Sequence, residues 1–256
     1  MQLKYITYGG YIYAPIVAAI WWLAVLLTLL LWWGVGDDAR RYENNEPTVV
    51  FISDVGAVHK SFFIVGTSVT STFYVITLVF ERYLRHKRRI PNDITNHTAR
   101  YLDIAAVIFG SIGALALILL SIFDAFNHST AHWSLTLVFV VCIAVSASCQ
   151  TTEVLYLKRQ HRDSETACER NSLKWSARAK LLIVGVAIVF AICFGALYAG
   201  WTTSSKLAVG SAAAIFEWAI AFLYDFYLFT FIIDLGGAAK TSKRAKIQTE
   251  GSTTYA

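Results

Sequence analysis

The chain has 256 residues, of which 56% are hydrophobic and only 15% charged, with a mean hydropathy of +0.52. That is too apolar for a water-facing surface, and no stretch between the apolar blocks is long enough to build a separate core, so a soluble enzyme or binding domain is excluded. The net charge of +5 does not point to nucleic acid, because the basic residues sit in short clusters beside apolar runs; anionic lipid head groups are the expected partner.

A helix crossing a hydrocarbon core of about 30 Å needs roughly 20 mainly apolar residues. Six such runs are predicted, at residues 14–34, 61–80, 102–123, 133–155, 181–200 and 207–235. The first is too long for the apolar core of a signal peptide and has no small-residue cleavage site, so it reads as a span. The expected fold class is therefore all-α, a polytopic six-helix transmembrane bundle. Residues 1–235 form the transmembrane domain, and residues 236–256, rich in Lys, Ser and Thr, read as a disordered basic cytosolic tail.

Charge sets the orientation, since short cytosolic loops keep Lys and Arg. Of the 22 basic residues, all but Arg40, Arg41, Lys60 and Lys206 fall on one side of the six spans. Both termini are expected in the cytosol. Trp32, Trp33, Trp133 and Trp201 fall at the outer ends of spans, where indoles favour the head-group zone. Cys142, Cys149 and Cys193 lie within apolar runs and Cys168 in a basic loop, so no disulfide is expected.

Three outer segments carry residues capable of chemistry. The first connection holds an apolar stretch, residues 48–57, expected to lie on or dip into the outer leaflet, with Ser53 and Asp54 able to cap the helix that follows. The second holds Asp124, His128 and His132, four apart, so one helical face can present a carboxylate and two imidazoles, a weak candidate set for zinc. In the last span Glu217, Trp218 and the deeper Asp225 interrupt an apolar helix; a carboxylate facing lipid costs about 2.5–3.5 kcal/mol, so both acids are expected to face the bundle or water. Asp54, Asp124, His128, His132 and Glu217 are thus the candidate catalytic residues, and these five with Ser53 and Trp218 the candidate lipid or substrate site. No cofactor is implied.

On the inner side Arg82, Arg85, Lys87, Arg88, Arg89, Lys158, Arg159, Arg162, Lys243 and Arg244 form a juxtamembrane rim. Each cation near an anionic surface is worth around 1 kcal/mol of attraction. Gln150 and Glu153 are expected to line a cytosolic vestibule.

The order of these motifs, with Phe51-Ile-Ser-Asp-Val-Gly56 before the second span, Glu81-Arg-Tyr-Leu-Arg-His86 after it, Ser121-Ile-Phe-Asp124 with His128 and His132, and Glu217-Trp218, resembles the FRAG/DRAM family of six-span membrane proteins. That family is related to the N-terminal domain of the fungal cell-wall protein CWH, and the pattern is most similar to the fungal members that suppress phosphatidylinositol 4-kinase defects. The resemblance implies a protein that organises or regulates lipids, through phosphoinositide signalling or phospholipid asymmetry, at the plasma membrane or an endomembrane. A lipid-kinase complex is an implied partner. The alternative is an intramembrane lipid-modifying enzyme, a hydrolase or acyltransferase like those that remodel GPI lipids, working through the outer Asp, His and Glu residues.

Overall fold

The computed structural model describes residues 10–44, 46–86, 97–160, 167–204 and 206–253, with side chains described for 10–44, 46–86, 97–153, 175–204 and 206–236. A 3₁₀ turn, Gly10–Ile12, opens α1 (Tyr13–Leu31), which ends in a π-helical turn, Trp32–Gly36. A short helix α2 (Ile52–Val58) precedes five long ones: α3 (Lys60–His86), α4 (His97–Ile122), α5 (Ser129–Gln160), α6 (Ala167–Ser204) and α7 (Leu207–Thr253). All but α2 are long and apolar enough to cross a membrane, and no strand occurs among the described residues. The chain folds as the expected all-α bundle of six apolar helices.

Six crossings put Gly10 and Gly236 at one face, the terminal face, with the connections after α3 and α5. The opposite, loop face carries α2 and the connections after α1, α4 and α6.

α1 starts where Pro15 falls in its first turn, a place whose N–H has no helical partner in any case. Its Ala18, Ala19, Trp22, Val25, Leu26 and Leu29 are buried between α3 and α7. Trp22 Nε1 donates to the Ala221 carbonyl of α7, 3.1 Å away. Gly66 lets α3 come close, since a Cβ there would sit 2.7 Å from Val25 Cγ2.

α3 is built inside out relative to a helix in water. Thr67, Thr70, Ser71, Tyr74, Thr77, Glu81 and Arg85 recur every three or four residues on its buried face, while Val65, Val79 and Tyr83 face outward. Lipid tails are as apolar as any side chain, so polar contacts and close packing, rather than escape from water, hold such helices together. Thr67 and Thr77 satisfy their hydroxyls on the carbonyls of Phe63 and Phe73, one turn back. Thr67 also meets Ser121 of α4 at 2.9 Å.

α4 packs most extensively on α5, and α6 on α7, whereas α5 and α6 touch lightly. Small residues set the α4 contacts: a Cβ on Gly110 would lie 2.4 Å from Leu78 Cδ1 and 2.9 Å from Ser146 Oγ, and one on Gly113 2.9 Å from Ile143 Cδ1. By contrast Gly185 of α6 has nothing within 4 Å. Gly110→Val is therefore expected to destabilise the bundle by about 1–3 kcal/mol through overpacking, and Gly185→Val to leave it unchanged. Thermal unfolding of the two detergent-solubilised variants checks this; equal melting temperatures would contradict the packing assigned to Gly110.

Candidate functional site

The segment before α2 is tied to the start of α7 by three hydrogen bonds. Val49 N–H donates to Ser211 Oγ (3.2 Å), Trp218 Nε1 to the Val50 carbonyl (3.1 Å), and Ile52 N–H to Glu217 Oε2 (2.9 Å). Ile52 is the first residue of α2, so Glu217 supplies the acceptor that an orphan helix N–H requires. This corrects the capping expected of Ser53 and Asp54: both lie inside α2, and its N-cap residue, Phe51, makes no side-chain cap. The same contacts hold residues 48–57, expected to lie on or dip into the outer leaflet, against the bundle. Val50, Phe51, Ile52 and Val55 are buried in the bundle, with Phe51 ringed by Trp133, Phe194, Tyr198 and Trp201.

Behind α2 lies a cavity of about 70 Å³ whose polar lining is Ser53, His132, Thr136, Glu217 and Tyr224, whose hydroxyl has no partner, with Trp22 and Phe63 among its other walls. His132 Nδ1 lies 2.9 Å from the Leu120 carbonyl and 3.0 Å from that of Phe123. Carbonyls only accept, so Nδ1 carries the proton; in the neutral ring Nε2 is then an acceptor. Thr136 spends its proton on the His132 carbonyl, 2.9 Å away. The Ser53 hydroxyl lies beside the Glu217 carboxylate without a hydrogen bond of ordinary geometry. The cavity is thus rich in acceptors, has the Ser53 and Tyr224 hydroxyls in its lining and has no cation there. It is not arranged as a Ser-His-acid triad: backbone carbonyls, not a carboxylate, orient His132, and no hydrogen bond joins its ring to Ser53.

Ser53, His132 and Glu217, expected from the sequence, therefore converge. The rest of the outer set does not join them. Asp54 is buried next to Ser53 but does not line the cavity; burial, and then the carboxylates of Glu217 and Glu46, push it well above the usual carboxylate range. Asp124 faces Lys60, whose Nζ lies 2.6 Å away, and accepts from the Asn127 backbone and side chain. Burial works to raise the Asp124 carboxyl, but these partners outweigh it and hold it below its ordinary 3.8. The N–H groups of His128 and His132 each donate to the carbonyl four residues back, yet the side chains of Asp124, His128 and His132 diverge. His128 is exposed against Phe123 while His132 points inward. Among the described residues no group of three His, Cys, Asp or Glu side chains comes together for a metal. Asp225 is buried, with neither carboxyl oxygen hydrogen-bonded.

A second polar centre, near the terminal face, was not grouped from the sequence. Arg85, expected on the rim, is instead buried at 4% exposure between Glu81 (2.6 Å) and Glu153 (3.4 Å). Gln150 donates to Glu81 and accepts from Tyr227, and Lys180, fully buried, pairs with Asp234 beneath the Phe231 ring. Ser176 donates to the same Asp234. One network thereby joins α3, α5, α6 and α7. The signal was present as Glu81 and Arg85 four apart and as the single ionisable groups Lys180 and Asp234 at span ends. Arg82, by contrast, is half-exposed and paired with Asp103. Lys87, Arg88, Arg89 and Arg162, and the side chains of Lys158, Arg159, Lys243 and Arg244, lie outside the described residues.

Comparison with known proteins agrees with the motif order. The family model described as Frag1/DRAM/Sfk1/Cwh43P N-terminal domain matches residues 10–238. The chain is 33% identical to Protein sfk1 of Schizosaccharomyces pombe over 229 residues, covering 89% of this chain and 64% of that protein. It is 27% identical to Protein SFK1 of Saccharomyces cerevisiae over 290 residues, covering 90% of this chain and 79% of the relative. The chain thus spans less than two thirds of the length of the S. pombe relative. No solved structure matches it.

Two outcomes follow from the two centres. Arg85→Ala leaves Glu81 and Glu153 uncompensated and is expected to cost about 3–5 kcal/mol, while Arg82→Ala, at a half-exposed pair, costs at most about 1 kcal/mol; urea or thermal unfolding in detergent ranks them, and equal losses would return Arg85 to the rim. The two buried acids have opposite pH signatures. The depressed Asp124 stabilises the fold above its ordinary value of 3.8 and loses that contribution as pH falls below it. The raised Asp54 contributes most in acid and loses it as pH rises through its folded value. Lys60→Gln should therefore lower the melting temperature near neutrality and converge on the parent in strong acid, whereas Asp54→Asn should gain on the parent as pH rises.

Proposed function

The chain belongs to the Frag1/DRAM/Sfk1/Cwh43P N-terminal-domain family, and from that premise we propose that it regulates membrane lipids by holding a lipid polar group in the loop-face cavity between α2, α5 and α7. The observation that carries the reading is the convergence of Ser53, His132 and Glu217 from three separate elements on one enclosed space. Two of the motif segments, 51–56 and 217–218, meet there and hold each other in place. Polar groups at membrane depth are costly and persist where they meet a ligand or one another.

The membrane is proposed to be the plasma membrane, with the loop face outside and both termini in the cytosol, as the distribution of Lys and Arg favours. Resemblance to fungal members that suppress phosphatidylinositol 4-kinase defects supports a role in phosphoinositide regulation. The terminal face, with its basic segments, is the proposed meeting place for anionic head groups and a lipid-kinase complex, and residues 236–256 form its cytosolic tail. The role is organising rather than catalytic, since His132 is held by backbone carbonyls and lacks a bonded nucleophile.

Glu217→Gln keeps an acceptor for Ile52, while Glu217→Ala removes it. Removing a hydrogen bond to a charged group costs about 1.5–3 kcal/mol. The alanine variant is expected to retain at least roughly tenfold less co-purifying lipid and to shift plasma-membrane phosphatidylinositol 4-phosphate in cells; the glutamine variant should fall between it and the parent. Mass spectrometry of purified protein and a fluorescent lipid sensor read the two effects. Unchanged lipid content in a folded alanine variant would remove the cavity from the function.

A further inference from the structure

Where α5 and α6 pack lightly, a second and larger space opens between them against α7, about 310 Å³ and walled almost wholly by aliphatic side chains such as Ala144, Ala147, Ala187 and Ile188. It shares Phe139, Val140, Ile220 and Tyr224 with the polar cavity, so the two chambers lie side by side along α5 and α7. From His132 in the upper chamber to Ala147 at the foot of the lower one, α5 advances roughly 22 Å at 1.5 Å per residue. That exceeds half of a hydrocarbon core about 30 Å thick. A molecule anchored at His132 thus reaches the bilayer midplane.

We propose that the two chambers form one binding site for a neutral glycerolipid, diacylglycerol in class, with its free hydroxyl in the polar chamber and an acyl chain in the α5–α6 cleft. This inference rests on the lipid-holding role assigned to the cavity and names its ligand. Three features select the class. The polar chamber presents acceptors, Glu217 and the imidazole of His132, together with the Ser53 hydroxyl beside Glu217 and the unpartnered Tyr224 hydroxyl. Its lining contains no Lys or Arg. A hydroxyl, which both donates and accepts, is satisfied there; a phosphate would be buried with no cation in the lining to offset its charge. Amine-bearing phospholipids carry their phosphate with them and meet the same cost. The lower chamber has over four times the volume of the upper, the proportions of a small head on a large tail.

The test uses the full chain in lipid nanodiscs and three photoactivatable probes: diacylglycerol and phosphatidylinositol 4-phosphate with a diazirine in the same acyl chain, and a diazirine sterol. Cross-linked peptides are mapped by mass spectrometry. Diacylglycerol is expected to label segments 137–147, 183–192 and 220–227, and to outcompete the other two. Ala187→Trp and, on the opposite wall, Ala144→Phe each fill the cleft; excluding as few as two methylenes lowers labelling roughly tenfold. Equal or stronger labelling of those segments by the phosphoinositide or the sterol overturns the ligand class. Diacylglycerol labelling that persists in both cleft variants but is lost in Glu217→Gln overturns the cleft while leaving the cavity's role standing. Absence of labelling of the parent by any probe overturns both. The parent's selectivity among the three probes decides the class even if neither cleft variant folds.

Discussion

A helix that begins inside a membrane bundle must find acceptors for its first N–H groups, because neither water nor lipid can supply them. Here the acceptor is Glu217, from a helix 165 residues further along the chain. The contact does two things at once. It gives the carboxylate a partner at a depth where an unpaired one is costly, and it fixes where α2 enters. With α2 in place, Phe51 fills an aromatic ring of four side chains from α5 and α6, and Ser53 lines the same cavity as His132. The polar cavity is a consequence of that cap. Its second wall is made the same way: the carbonyls left over at the end of α4 are taken by His132, which sets that ring's tautomer.

At the other face, a buried ion network holds the helices that the cavity leaves loosely joined. Glu81, Arg85 and Glu153 connect α3 to α5, and Lys180 with Asp234 connects α6 to α7. Gln150 and Tyr227 link the two groups. Buried pairs seldom add much net stability over apolar packing, but breaking one is expensive, so they define which helix pairs with which. Because α6 is held at this end by Lys180 and at the loop face by the aromatic ring around Phe51, the middle of the α5–α6 seam needs little direct contact. The lateral cleft sits there, between two fixed ends.

The spans were legible because composition and length are one-dimensional properties, and the bilayer imposes both. What belonged to helix pairing was not. Ser53 and Asp54 looked like caps because they precede an apolar run with the residue types that cap helices, but the helix they serve begins at Ile52, one residue earlier, and is capped from α7. Arg85 was placed with its basic neighbours because charge counting ignores helix phase. Its position four residues after Glu81 puts it on the same inward face. Asp124 was grouped with His128 and His132 by spacing, yet the chain leaves the α4 helix at Phe123 and Asp124 turns to Lys60. The convergence of Ser53, His132 and Glu217 had no local signature, because it depends on the order in which α1, α5 and α7 surround α2.

The chemistry of the two faces bears on how a protein of this kind relates to phosphoinositides. The loop-face cavity has a carboxylate, a carbonyl-oriented imidazole and hydroxyls, with Asp54 and Glu46 buried nearby and raised by burial. With no Lys or Arg in its lining, such a site offers nothing to offset the charge of a phosphate. The buried cations of the terminal face, Arg85 and Lys180, are committed to Glu81, Glu153 and Asp234, and are not free to take a phosphate either. In the proposed reading, a phosphoinositide is met by the basic segments of the terminal face or by a partner docked there, while the bundle interior takes an uncharged lipid. Recognition and regulation are then separated by the thickness of the membrane, and the element that spans both is α7, which carries Glu217 at one end and Tyr227 and Asp234 toward the other. A small tilt of α7 would alter both centres together, because each holds the helix by a short hydrogen bond or ion pair rather than by deformable apolar contact.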